Sequence, residues 1–129
     1  MKKLFISVPM KGRTEENIRK TYDKLHKLAE TAFGEELEVI QTYIEDRPPK
    51  TNHEAVWYLG ESIKKLSEAD YFIGFHLYGS PWKGCEVERK VAKNYDIPSL
   101  LLEHEVMGRV LPDINKVWDE LIEEEKANE

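Results

Sequence analysis

Short apolar runs alternate with amphipathic helices along the chain, and that alternation leaves few folds open. Leu4-Phe5-Ile6-Ser7-Val8 is a run of β-formers without polar alternation, as in a strand covered on both faces. Pro9 and Gly12 end it, and Thr14 is placed to cap a helix whose first turn carries Glu15 and Glu16, where acids suit the dipole. Ile18, Tyr22, Leu25, Leu28 and Ala32 give that helix one apolar face, and Gly34 supplies its stop. A second strand is predicted from Leu37 to Ile44, then a loop from Glu45 to Lys50 containing Pro48 and Pro49.

The pattern then repeats. Thr51 starts a second helix with Glu54 in the capping-box position, and Ala55, Leu59, Ile63 and Leu66 form its stripe. Tyr71 to Phe75 is a third strand, again apolar without alternation, followed by a loop with Gly79, Pro81 and Gly84. A third helix is expected from about Cys85 to Tyr95, a fourth strand at Ser99 to Leu102, and a last helix from Asp113 to Glu125 with Ile114, Val117, Trp118 and Leu121 inward. Strand and helix in alternation predict an α/β fold: a flavodoxin- or Rossmann-like parallel sheet of four to five strands with helices on both faces and right-handed crossovers. The 129 residues suit one domain over 1–129, with an acidic tail at about 123–129 that frays.

Composition narrows the function classes. A formal net charge of -6 argues against nucleic acid as a partner, which needs clustered cations, but leaves room for one small phosphorylated ligand. The single cysteine, Cys85, excludes an internal disulfide and suits a reducing cytoplasm. The apolar start stops at Pro9, with Lys11 and Arg13 following, too short for a signal peptide. No stretch approaches the roughly 20 apolar residues of a membrane span, so no membrane partner is expected. His26, His53, His76 and His104 form no spacing that suggests a metal.

In open parallel sheets, ligands sit at the carboxyl ends of the strands, where strand order reverses. That rule selects three loops: Pro9 to Thr14, Ile44 to Thr51, and His76 to Glu86. In the first, Ser7, Pro9, Met10, Lys11, Gly12 and Arg13 lead into a helix N-terminus, whose free N–H groups attract a phosphate or hydroxyl. A plain strand-to-helix turn with solvated cations reads equally from the pattern. Neither GxxxxGK[ST] nor GxGxxG is present. In the third loop, Glu86 can cap its helix, or serve as nucleophile or base at a pocket mouth. Trp82 in that loop can stack on a base. Trp57 and Tyr58 can too, although core or interface suits Trp57 better. Cys85 reads as a small buried residue, His76 as a strand-end residue bonded to backbone, and Asp70 as a cap at the start of the third strand.

Together, Ser7 to Glu15, Ala69-Asp70 with the strand after them, and Gly79 to Ala92 resemble the nucleoside 2-deoxyribosyltransferase-like superfamily. That superfamily includes the 2'-deoxynucleoside 5'-phosphate N-hydrolases and small uncharacterised bacterial and phage domains. The last group is the most similar, through KLFISVPMKGRTEE, YIEDRPP, WYLGESIKKLSEAD and GCEVERKVA, and the resemblance covers roughly residues 3 to 103. It implies a nucleoside or nucleotide ligand without a cofactor, and a glutamate in a G-x-E context that attacks the anomeric carbon. Gly84-Cys85-Glu86 matches, making Glu86 the nucleophile. Ser80, six positions earlier, would bind the 5'-phosphate, beside Gly79. Ser7 and the Lys11 to Arg13 turn match the sugar and phosphate loop.

One position departs from that pattern. The active families carry an aspartate eight positions before the residue at Asp70, and here that position is Ser62. Serine is a poor general acid at neutral pH. Asp46 is the preferred substitute, ahead of Glu45 and His53, because Pro48 and Pro49 stiffen its loop. The alternative is a catalytically inactive nucleotide-binding protein, such as a sensor or a phage-type sequestering protein for signalling nucleotides. The resemblance also implies a homodimer or higher homo-oligomer, with Trp57 and Tyr58 as the expected interface.

Overall fold

The computed structural model describes residues 1–8, 14–42, 47–78 and 82–105. Its elements run β1 (Lys2–Ile6), α1 (Glu15–Phe33), β2 (Leu37–Val39), α2 (Glu54–Leu66), β3 (Tyr71–Tyr78), α3 (Lys83–Asn94) and β4 (Ser99–Glu105). The strands form one sheet in the order β2-β1-β3-β4, every pair parallel. This is the α/β, flavodoxin- or Rossmann-like arrangement expected from the alternation, with four strands described. The last predicted helix and the acidic tail lie outside the described residues.

The strands sort their side chains between two cores. Leu4, Ile6 and Val8 join Ile73, Phe75 and Leu102 against Leu25 and Ala29 of α1. Phe5 and Phe72 face the other way, with Leu66 of α2 and Ala92 of α3. Their rings stack at 5.8 Å, 7° from parallel. So α1 covers one face, while α2 and α3 cover the other. That division follows from right-handed crossovers: the chain leaves β1 for β2 in one direction and then travels the opposite way to β3 and β4.

The helix ends show where local signals prevailed. Thr14 caps α1, its hydroxyl accepting from the Asn17 amide at 3.1 Å, and Gly34 closes the helix at φ 72°. In the last turn of α1, Ala32 is exposed and Phe33 turns in, stacking on Tyr71 at 4.2 Å. Adjacent helical residues diverge by about 100°, so only one of the two can face the sheet. Ala29, four after Leu25, fills the inward line.

The other predicted boundaries shift. α2 starts at Glu54, not Thr51, because the His53 carbonyl takes the first helical bonds, from Val56 and Trp57 at 3.1 Å each. The capping box predicted there does not form. Ala55 is exposed, and α2 reaches the core through Ile63 and Leu66 instead. β2 ends at Val39, although the Ile40 amide still donates to the Leu4 carbonyl at 2.9 Å. Beyond it, the Thr42 hydroxyl meets the Tyr22 hydroxyl of α1. Among the described residues, no helix is long and apolar enough to cross a membrane.

Candidate functional site

Strand order reverses between β1 and β3, so their carboxyl ends flank the switch point where open α/β sheets bind ligands. Ser7 stands there. Its amide donates to the Ile73 carbonyl at 2.9 Å, continuing the β1–β3 ladder. Strand alternation sends Ile6 and Val8 towards α1, and leaves Ser7 on the α2/α3 face, only 2% exposed. Its neighbour on β3 is Gly74. A Cβ on Gly74 would lie 2.9 Å from Phe72 Cε1 and 3.3 Å from Ser7 Cβ. No side chain fits at this position, because the Phe72 ring and Ser7 close in on Gly74.

Glu88 comes into this region from α3. The Ser7 hydroxyl donates to Glu88 Oε1 at 2.8 Å, and the Ser62 hydroxyl of α2 donates to Oε2. Three elements thus converge on one carboxyl group, which is only 8% exposed. Burial pushes the Glu88 carboxyl up from its ordinary value, while the hydrogen bonds from Ser62 and Ser7 pull it back. Among the described residues no Lys, Arg or His forms an ion pair with it. Such a group, when ionised, is an oxygen nucleophile or base, and its charge favours positive charge developing in a ligand.

One turn earlier on α3 lies Cys85, half-buried. Burial, then the Glu88 charge, push its thiol up to about 12, with Ser7 hydrogen bonding opposing them. The sulfur is therefore a neutral thiol at physiological pH rather than a nucleophile.

The sequence-derived site residues separate into three groups. Ser7 and Ser62 are brought together, by way of Glu88. Glu86, Gly84 and Trp82 stand at the start of α3 but apart from that cluster. The Glu86 side chain is 44% exposed and pairs with Lys90 at 3.1 Å. A Cβ on Gly84 would make ordinary contact with Leu59 Cδ1 at 3.9 Å, so this turn lies against α2. Trp82 is the N-cap residue without a side-chain cap bond, and its ring meets Phe75 edge-on at 6.5 Å, in the α1-side core. Pro9, Met10, Lys11, Gly12, Arg13, Glu45, Asp46, Gly79 and Ser80 lie outside the described residues.

Glu88 is the residue that sequence reasoning passed over. Positions 86 and 88 differ by about 200° around a helix, so they cannot serve the same side. The inward line of α3 is Cys85, Glu88 and Ala92, at i, i+3 and i+7. A carboxylate in an otherwise small and apolar line was the available signal.

The remaining candidates have local roles. Asp70 accepts from the Lys3 amide at 2.8 Å, tying the start of β3 to β1. His26 bonds the Leu37 carbonyl through Nε2 at 2.7 Å. His53 is the exposed N-cap residue of α2. Trp57 and Tyr58 meet edge-on at 5.1 Å, next to exposed Val56. Among the described residues, no group of three His, Cys, Asp or Glu side chains could hold a metal ion. No family model matches the chain, and no curated protein or solved structure matches it either.

Proposed function

We propose that the protein binds a nucleoside or nucleotide at the carboxyl edge of β1 and β3 and acts on its N-glycosidic bond, as a hydrolase or deoxyribosyltransferase. The observation that supports this reading is the buried Glu88 carboxyl, held by Ser7 and Ser62 at the switch point. It combines with the resemblance of the Ser7 to Glu15 and Gly84 to Ala92 segments described above.

The chemistry fits a carboxylate without a metal. A Glu88 oxygen forms a bond to the anomeric carbon while the carbon–nitrogen bond breaks, and the base leaves with the electron pair and takes up a proton. Water then attacks the same carbon, loses a proton and releases the carboxylate; a second base in place of water gives transfer. Glu88 takes the nucleophile's role in preference to Glu86, because Glu86 is bound to Lys90 at the surface. Lys11 and Arg13 would receive a phosphate, and Asp46 would supply the proton to the base.

The test is release of free base from a panel of nucleosides, nucleotides and deoxynucleotides by wild type, Glu88→Gln and Glu86→Gln. Glu88→Gln should lower turnover by three orders of magnitude or more, since in this reading Glu88 supplies the covalent step, and Glu86→Gln by less than tenfold. The reverse ranking returns the role to Glu86. A panel that yields no base, while one member shifts the melting temperature, supports a second reading. In that reading the protein is a nucleotide binder without turnover, a sensor or sequestering protein. Ser62, at the position where the resemblance implies an acid, offers none, which favours this reading specifically.

The protein is further proposed to work in the cytoplasm as a homodimer or larger assembly. The exposed Val56 and Tyr58 on α2 would contribute to the contact. A monomeric mass in solution would remove that part.

A further inference from the structure

A serine in the middle of a helix normally bonds the carbonyl four residues back, or water. Ser62 does neither with its proton: the hydroxyl crosses to α3 and donates to Glu88 Oε2. On the opposite side of the same carboxyl group, Ser7 donates to Oε1 from the residue just after β1. A carboxylate has about four acceptor sites, so one donor on each oxygen still leaves lone pairs for a ligand. With a single donor, the group could rotate about its last torsion, which is broad for glutamate. With two, from two different elements, its plane is fixed.

We propose that Ser62 is a positioning residue: with Ser7, its hydroxyl holds the Glu88 carboxylate in one orientation and favours its ionised form against burial, without itself touching the ligand. This rests on the reading of Glu88 as the working carboxylate, and it moves Ser62 from contacting substrate to acting through Glu88.

Few other groups compete for that control. Among the described residues facing Glu88, α3 offers Cys85, a neutral thiol, Ser7 follows β1, and β3 offers Gly74 without a side chain. On α2, Glu61 is taken by Lys64 at 2.8 Å, and Lys65 donates to the Gln41 carbonyl at 2.6 Å. The two hydroxyls are thus the groups that oppose burial, and both favour the ionised form.

Infrared titration of the carboxyl band tests this in the full chain, with Glu88→Gln subtracted to isolate the Glu88 signal. Ser62→Ala should raise the midpoint by about one pH unit, a tenfold change in proton affinity, and Ser62→Thr should restore it. Where turnover is present, the acid limb of its pH profile should move upward with the same variants. Equal midpoints in wild type and Ser62→Ala overturn the proposal, as does a Thr variant that shifts as far as Ala. Should Ser62→Ala fail to fold, Ser62→Cys keeps the volume with a weak donor, and must show the upward shift. The infrared readout needs no substrate. A band that moves in a protein that cleaves nothing refutes the catalytic reading alone, whereas Glu88-dependent cleavage with an unmoved band refutes the role of Ser62 alone.

Discussion

The two faces of the sheet are built for different ends. Against α1, the buried residues of β1 and β3 are apolar, with Leu4, Ile6, Val8, Ile73 and Phe75 closing on Leu25 and Ala29. Against α2 and α3, the stacked Phe5 and Phe72 start the same way, but the next positions towards the carboxyl edge are Ser7 and Gly74. A carboxyl group occupies the region where apolar side chains would be expected. Burying such a group without a described cation opposes folding. An apolar residue of similar volume would pack with less penalty, so the α2/α3 face gives up stability at the switch-point edge, the place where open α/β sheets bind ligands. Departures of this kind mark functional sites more often than structural ones.

That difference is open to measurement, and the largest expected effect lies on the α1 face. Leu25 is fully buried, so Leu25→Ala removes apolar contacts and leaves a cavity, costing about 2 to 5 kcal/mol. Urea unfolding should show it as a lower midpoint at unchanged slope. A loss below 1 kcal/mol would mean that this face is not the stabilising one.

Gly74→Ala comes next, at about 1 to 3 kcal/mol, because the new methyl would meet the Phe72 ring at 2.9 Å and the ring is stacked on Phe5. The same substitution should weaken any ligand affinity by crowding Ser7. A neutral effect on both would show that the space beside Ser7 carries no constraint.

The Glu88→Gln variant sharpens the comparison through pH. The folded protein holds the Glu88 proton more tightly than the unfolded chain, whose carboxyl titrates at the ordinary value near 4.5. Stability from this group is therefore full below that value, and is lost as pH rises through the raised folded value. Between mildly acid and neutral pH, the wild-type melting temperature should fall relative to Glu88→Gln. Parallel curves for the two proteins would show that Glu88 is not buried as described.

Much of this fold was readable because its signals are local. Apolar runs without alternation located β1 and β3, and Thr14 and Gly34 marked both ends of α1 through their own backbone preferences. The edge was harder. β2 stops short at Val39 because its extent depends on pairing with β1, elsewhere in the chain, and α2 starts three residues late because its first bonds go to the His53 carbonyl and not to Thr51. The candidate site was half legible: topology pointed to Ser7, and the family resemblance pointed to position 62. Glu86 was preferred over Glu88 because a motif gives spacing along the chain, and only packing decides which side of α3 turns inward.

Cys85 gives the smallest expected effect, and the one that ties the cluster together. With its thiol pushed up to about 12, the folded protein should hold on the order of one thiolate in ten thousand at pH 8. Alkylation by iodoacetamide should then be at least a hundredfold slower than for a free thiol. Glu88 contributes to that suppression through its charge, so Glu88→Gln should speed the reaction. Burial is the larger cause and persists in the variant, which limits the gain to a few-fold. A variant that reacts no faster would separate Cys85 electrostatically from Glu88, and would leave Ser7 and Ser62 as the only described groups that sense the carboxylate.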